Sequence, residues 1–123
     1  MDAAGNLYGQ LAAGPFELSP SPRGWTEEII SPYVRNSRSG LTMGAAGSIY
    51  GTTIQGGAND MGTVFELTPV GKGKYQEKVL WSFNGKDGSG PQSSLILDGA
   101  GNLYGMTPTG GLYGNGVVFE VTP

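Results

Sequence analysis

Three glutamates recur at one position of a repeated segment, Glu17, Glu66 and Glu120, each directly after a phenylalanine. Carboxylates held roughly 5–10 Å apart are the working groups of glycosidases. Equivalent positions on successive repeats lie farther apart than that, and in a strand each Glu faces away from its Phe neighbour. The expected role is therefore structural: a hydrogen bond to a neighbouring sheet or to water. The chain has no histidine and no cysteine, which removes imidazole and thiol catalysis, disulfides and most zinc, copper and haem ligation. The segment Asn84-Gly85-Lys86-Asp87-Gly88-Ser89 spaces oxygen-bearing side chains like a calcium loop. It lacks the several acidic ligands and the distal bidentate Glu of that motif, so an ordinary turn is expected. These residues predict a protein that is not an enzyme and holds neither cofactor nor metal.

A second kind of chemistry is recognition. Two stretches, Ile54–Gly62 and Pro108–Gly116, and a third, Asn84–Gln92, are polar and rich in glycine. The candidate ligand-binding residues on them are Gln55, Asn59, Asp60, Asn84, Asp87, Thr109, Tyr113 and Asn115, with Lys86, Ser89 and Gln92 alongside. A tyrosine ring offers a stacking plate for a sugar, and Asn and Asp side chains bridge vicinal hydroxyls. The plainer reading is that these residues solvate long turns, where Asn, Asp, Gly and Ser are favoured anyway. Thr52, Thr53 and Thr107 end strands beside the same loops and offer hydroxyls to them.

The elements that must position these groups are repeated. Ala4-Gly5-Asn6-Leu7-Tyr8-Gly9 returns as Ala46-Gly47-Ser48-Ile49-Tyr50-Gly51 and again, unchanged, from Ala100 to Gly105. Each copy is followed by a Phe-Glu strand ending in proline, at Phe16–Pro20, Phe65–Pro69 and Phe119–Pro123. Such a unit cannot bury its apolar face alone, and stacking of neighbours supplies the core. In the last copy Gln76–Phe83 and Val117–Thr122 alternate like strands, and Ser94–Leu97 reads as a short strand covered on both sides. Asp98-Gly99-Ala100-Gly101-Asn102 is a turn, with Gly101 supplying a positive φ. Nothing holds a 3.6-residue period, so very little helix is expected.

Four short antiparallel strands per repeat form the blade unit of a β-propeller. With strands lettered a to d, the chain is predicted to read b-c-d, a-b-c-d, a-b-c. That is an all-β fold of β-propeller-like blades of four antiparallel strands, about two and a half of them. The array divides into an eroded blade at 1–35, a full blade at 36–83 and a partial blade at 84–123. Pro32 cannot donate a ladder hydrogen bond, which suits an outermost d strand. The second copy departs from the others at its turn: Gly44 stands where Asp2 and Asp98 stand, and Ser48 where Asn6 and Asn102 stand. Tyr8, Tyr50 and Tyr104 recur in register and are expected to pack between blades.

The combination of Gly-Asn-Leu-Tyr-Gly, a Gly-Gly loop, Gly-Thr-Val-Phe-Glu-Leu-Thr-Pro and Val-Leu-Trp-Ser-Phe-x-Gly-x-Asp-Gly resembles the GloVer-type tandem repeat of bacteria. The match is best from Ala46 to Pro123, with Asp2–Pro20 a shortened further copy. The resemblance implies a propeller-like, non-enzymatic module that is extracellular or on the cell surface, and it transfers no catalytic residue. A propeller needs about four to eight blades to close. The expected partners are therefore further copies, in a ring or a fibre, or else the chain is a fragment of a longer array. A glycan is the alternative partner, through the long polar loops.

Composition agrees. The 23 glycines among 123 residues far exceed the usual share of about 7% and suit many tight turns. Regularly spaced Tyr, Phe, Trp, Leu and Val between them supply a core that a disordered chain would lack. The net charge is −3, with no basic stripe for nucleic acid. No apolar run approaches the ~20 residues of a membrane span, and the N-terminus does not read as a signal peptide.

Overall fold

The computed structural model describes residues 1–31 and 36–123. Ten strands run in chain order: β1 Leu7–Leu11, β2 Gly14–Ser21, β3 Gly24–Ile29, β4 Thr42–Met43, β5 Ile49–Thr53, β6 Thr63–Gly71, β7 Lys74–Ser82, β8 Ile96–Leu97, β9 Leu103–Thr107 and β10 Val117–Val121. They form three antiparallel sheets, β1-β2-β3 (sheet I), β4-β5-β6-β7 (sheet II) and β8-β9-β10 (sheet III). The fold is all-β. The strand grouping is the one the repeat predicts, b-c-d, a-b-c-d and a-b-c. The a strands are only two residues long. Among the described residues helix is confined to a single 3-10 turn, Ala45–Gly47, and no helix is long and apolar enough to cross a membrane. The predicted edge role of Pro32, like the end of its strand at Tyr33, lies outside the described residues.

One contact is built into every repeat. Gly9 pairs with Phe16, Gly51 with Phe65 and Gly105 with Phe119 across neighbouring strands. A Cβ added at these glycines would lie 2.6, 2.6 and 2.5 Å from the Cζ atom of the paired ring. Each phenylalanine therefore lies flat across the bare backbone of the strand beside it. From the positions just before the a strands, Leu41 and Leu95 reach the same pits, 3.2 and 2.9 Å from the added Cβ at Gly51 and Gly105. None of the three glycines has a positive φ, so space rather than backbone freedom requires them.

The sheets stack through two apolar layers. Between I and II lie Ile30, Ile49, Phe65 and Leu67, with Tyr8, Leu41, Met43 and Tyr75 packed against them. Between II and III lie Tyr50, Val64, Phe83, Leu95, Leu103 and Val121, joined by Leu80, Leu97 and Phe119. Phe83 and Phe119 meet edge to face at 5.1 Å. Sheet II is covered on both faces, which is why Val64 and Phe65, adjacent and pointing opposite ways, are both fully buried. Polar ties cross the same layers: the Ser31 hydroxyl donates to Glu77 Oε2 at 3.0 Å and that of Thr42 to the Leu95 carbonyl at 2.7 Å.

One sequence expectation is corrected. The Ser94–Leu97 strand is not covered on both sides: Leu95 is buried but Ile96 is 70% exposed. Sheet III ends the stack, so the outward face of its first strand meets no neighbour.

Filling the glycine pit is expected to be costly. Because Phe65 is fully buried and cannot retreat, Gly51→Ala should destabilise the fold by about 1–3 kcal/mol through overpacking, measured by urea unfolding. Phe65→Ala should cost about 3–5 kcal/mol.

Candidate functional site

The three long loops emerge together and are bonded to one another. The backbone N–H of Gly90 donates to the Met61 carbonyl (2.8 Å), that of Ser89 to Thr109 (3.0 Å) and that of Gly111 to Gly85 (2.9 Å). The two b–c loops repeat one internal scheme. The Thr53 hydroxyl donates to the Gln55 carbonyl and accepts from the Thr63 N–H. Thr107 does the same with Thr109 and Val117. Gly62 N–H closes on the Gly56 carbonyl as Gly116 N–H closes on Gly110. These threonine hydroxyls are thus spent within the loops.

So are most of the candidate side chains. Gln55 Oε1 accepts from the Asn36 amide (3.1 Å), and Asn59 Nδ2 donates to the Phe83 carbonyl (3.2 Å). Asp60, at φ +54°, accepts from the Gly56 N–H at 2.7 Å. Asn84 Oδ1 takes the N–H groups of Lys86 and Asp87, and Asp87 Oδ1 takes that of Asn84. This reciprocal pair closes the Asn84–Ser89 turn on itself. Thr109 Oγ1 donates to the Ser89 carbonyl at 3.2 Å. Tyr113, 84% exposed, and the exposed Asn115 stand at the loop rim. Among the described residues no cluster of three or more His, Cys, Asp or Glu side chains has the spacing to hold a metal ion.

Two of the repeated glutamates bond within their own sheets. Glu17 Oε1 accepts from the Ser19 hydroxyl at 2.7 Å, and Glu66 Oε1 from Tyr50 at 3.2 Å. Tyr50 reaches Glu66 because its turn lacks the aspartate of the other copies. In those copies Asp2 and Asp98 each receive four hydrogen bonds, from the N–H of Ala4 or Ala100, from the N–H and side-chain amide of Asn6 or Asn102, and from the hydroxyl of Tyr8 or Tyr104. At Gly44 a Cβ would stand 2.5 Å from Tyr50 Cε2. The Tyr50 ring fills the space an aspartate would need and turns into the layer between sheets II and III. With Gly44 in the turn, the Tyr50 hydroxyl bonds to Glu66 where those of Tyr8 and Tyr104 bond to the turn aspartate.

These bonds hold both carboxyls below the usual carboxylate range. For Asp98 the Asn102 backbone N–H acts most strongly, followed by the Asn102 side chain; for Asp2 the Asn6 backbone N–H leads, followed by the Tyr8 hydroxyl. Burial is the main cause raising Tyr8, whereas the bond to Asp98 is the main cause raising Tyr104.

One site escaped the sequence reading. Trp81, Phe83, Asp87, Phe119, Glu120 and Val121 line a cleft of about 180 Å³ beside β10. The indole N–H of Trp81 donates to Asp87 Oδ2 at 2.9 Å, tying the cleft to the Asn84–Ser89 turn. Of the eight candidate loop residues, Asp87 alone lines it.

Three stacked antiparallel sheets, each built around the same Gly–Phe contact, define a tandem structural repeat. Residues 16–123 match the Gloeobacter/Verrucomicrobia repeat, and the chain belongs to that family. No curated protein and no solved structure matches it.

A lowered carboxyl stabilises the fold above its ordinary pKa, and that stabilisation is lost as the pH falls through its folded value. The midpoint of urea unfolding should therefore drop as the pH falls below about 4. Asp98→Asn, which removes one of the two charges, should flatten that acid limb and lower the neutral-pH melting temperature by a few degrees.

Proposed function

We propose that the chain is a non-catalytic structural module that binds further copies of itself head to tail, completing a propeller or extending a fibre. The observation that carries this is a face of sheet III. Ile96, Met106 and Val118 are 70, 56 and 77% exposed, whereas Val64, the counterpart of Val118 in sheet II, is fully buried under sheet III. The face that packs onto a following sheet inside the chain is bare at the end of the stack. Apolar patches of this kind mark association surfaces.

The internal stacking also supports a direction. Sheet II presents Tyr50 and Val64 to Leu103 and Val121 of sheet III. On sheet I the positions matching Leu103, Phe119 and Val121 are Leu7, Phe16 and Leu18, all only partly buried. A second copy laying sheet I on sheet III repeats the internal contact. Such a heterologous contact makes a ring where the rotation closes and a filament where it does not. We place the module outside the cell or on its surface, the setting that the repeat family implies; digestion by protease added to intact cells checks this. Six of the eight candidate loop side chains, Gln55, Asn59, Asp60, Asn84, Asp87 and Thr109, are engaged in loop bonds. That favours assembly over glycan recognition as the working reading.

Sedimentation should show species heavier than the 12.7 kDa chain, and Val118→Asp should return them to single-chain mass. Val118→Cys mixed with Leu18→Cys should cross-link with a short bismaleimide, while either variant alone should not. Cross-linking of Val118→Cys to itself would indicate a face-to-face dimer instead, and a monomer at all concentrations would exclude self-association.

A further inference from the structure

We infer that Met61 is an oxidation site at which a peroxide makes mainly one of the two methionine sulfoxide epimers. Met61 lies near the end of the b–c loop of sheet II, where that loop meets the Asn84–Gln92 loop leading into sheet III. Both loops lie inside the chain and are bonded to each other, so this is an internal repeat junction. Even there Met61 stays 39% exposed.

The sulfur is held in one orientation. The Ser89 hydroxyl donates to Met61 Sδ at 3.3 Å. Ser89 is itself pinned, because its N–H donates to the Thr109 carbonyl at 3.0 Å and its carbonyl accepts the Thr109 hydroxyl at 3.2 Å. One residue on, the Gly90 N–H donates to the Met61 carbonyl at 2.8 Å and fixes the other end of the contact. Bare backbone lies beside the thioether: a Cβ added at Gly85 would stand 3.9 Å from both Sδ and Cε. A freely rotating methionine offers an oxidant both sulfur lone pairs alike. Here one lone pair takes the Ser89 hydroxyl, on the side of the Gly85–Ser89 turn, and the other is left for attack from solvent.

The rest of the chain supplies two comparisons. Met43 packs against the layer between sheets I and II, whereas Met1 is 80% exposed. In the third copy the place of Met61 is taken by Asn115, which is exposed. The position therefore accommodates a polar side chain, as a sulfoxide is. In the reaction the open sulfur lone pair attacks one peroxide oxygen, and the O–O bond breaks as the S–O bond forms. The proton on the transferred oxygen passes to the departing hydroxide, which leaves as water. Sulfur gives up an electron pair and the peroxide is reduced. The oxidised sulfur is positively polarised and a poorer acceptor for Ser89, so the tie between the loops loosens while the Gly90 backbone bond remains. This chemistry is independent of stacking on Ile96, Met106 and Val118.

The test treats the full chain with dilute hydrogen peroxide and digests it. The Met61 peptide is then reduced by a sulfoxide reductase specific for one epimer or by its counterpart for the other. One enzyme should clear about two- to fivefold more Met61 sulfoxide than the other, the bias that one weak hydrogen bond imposes. Met1 in the folded chain should give equal epimers, as should Met61 in chain oxidised while unfolded in urea. Ser89→Ala should abolish the bias and speed the oxidation, since a donated hydrogen bond draws electron density from sulfur. Equal epimers from the folded chain, or a bias that survives Ser89→Ala, would overturn the proposal. So would oxidation of Met61 no faster than that of Met43. Should Ser89→Ala not fold, the comparison of folded with unfolded chain still decides.

Discussion

The contact between a bare glycine and the ring of the phenylalanine opposite it sets the geometry of every repeat. It brings the b and c strands together at one level, since only there does the backbone leave room for a flat ring. That fixes the register: Tyr-Gly on one strand must oppose Phe-Glu on the next. A shift of one residue would send each apolar set to the wrong face. With the register fixed, Leu or Ile before the tyrosine and Leu or Val after the glutamate fall beside the ring and form the layer that packs on the preceding sheet.

Stacking then decides which of these equal repeats becomes a core and which a surface. Sheet II lies between the other two and buries residues on both faces, while sheet III shows the same pattern with one face bare. The chemistry of the chain is concentrated where the repeat is interrupted. Loop polar groups are tied into neighbouring loops, whereas Ile96, Met106 and Val118 on the outward face of sheet III are exposed.

Much of the architecture was legible from residue types alone. The Leu-Tyr-Gly and Phe-Glu segments mark strands, the Asp-x-x-Gly-Asn turns join them, and the Gly-rich stretches are loops, because period-two alternation and turn residues are local properties. The short Ser94–Leu97 segment was misjudged, since an unbroken apolar run does not tell whether a second sheet covers it. The three long loops carrying the candidate residues are hydrogen-bonded to one another. Their hydrogen bonds depend on which loop lies next to which, so the sequence reading saw Asn59, Asn84 and Thr109 as open donors where the fold uses them as staples.

The sequence by itself determined the repeat, the strand order within each sheet and the absence of thiol and imidazole chemistry, all of which follow from local spacing and side-chain type. Tertiary structure alone decided that Tyr50 turns inward over Gly44, that Trp81 and Asp87 meet Phe119 and Val121 in one cleft, and that Val118 is exposed where Val64 is buried. The physical reason is that burial and pairing are properties of neighbours: identical strands differ only in whether another strand or sheet lies against them.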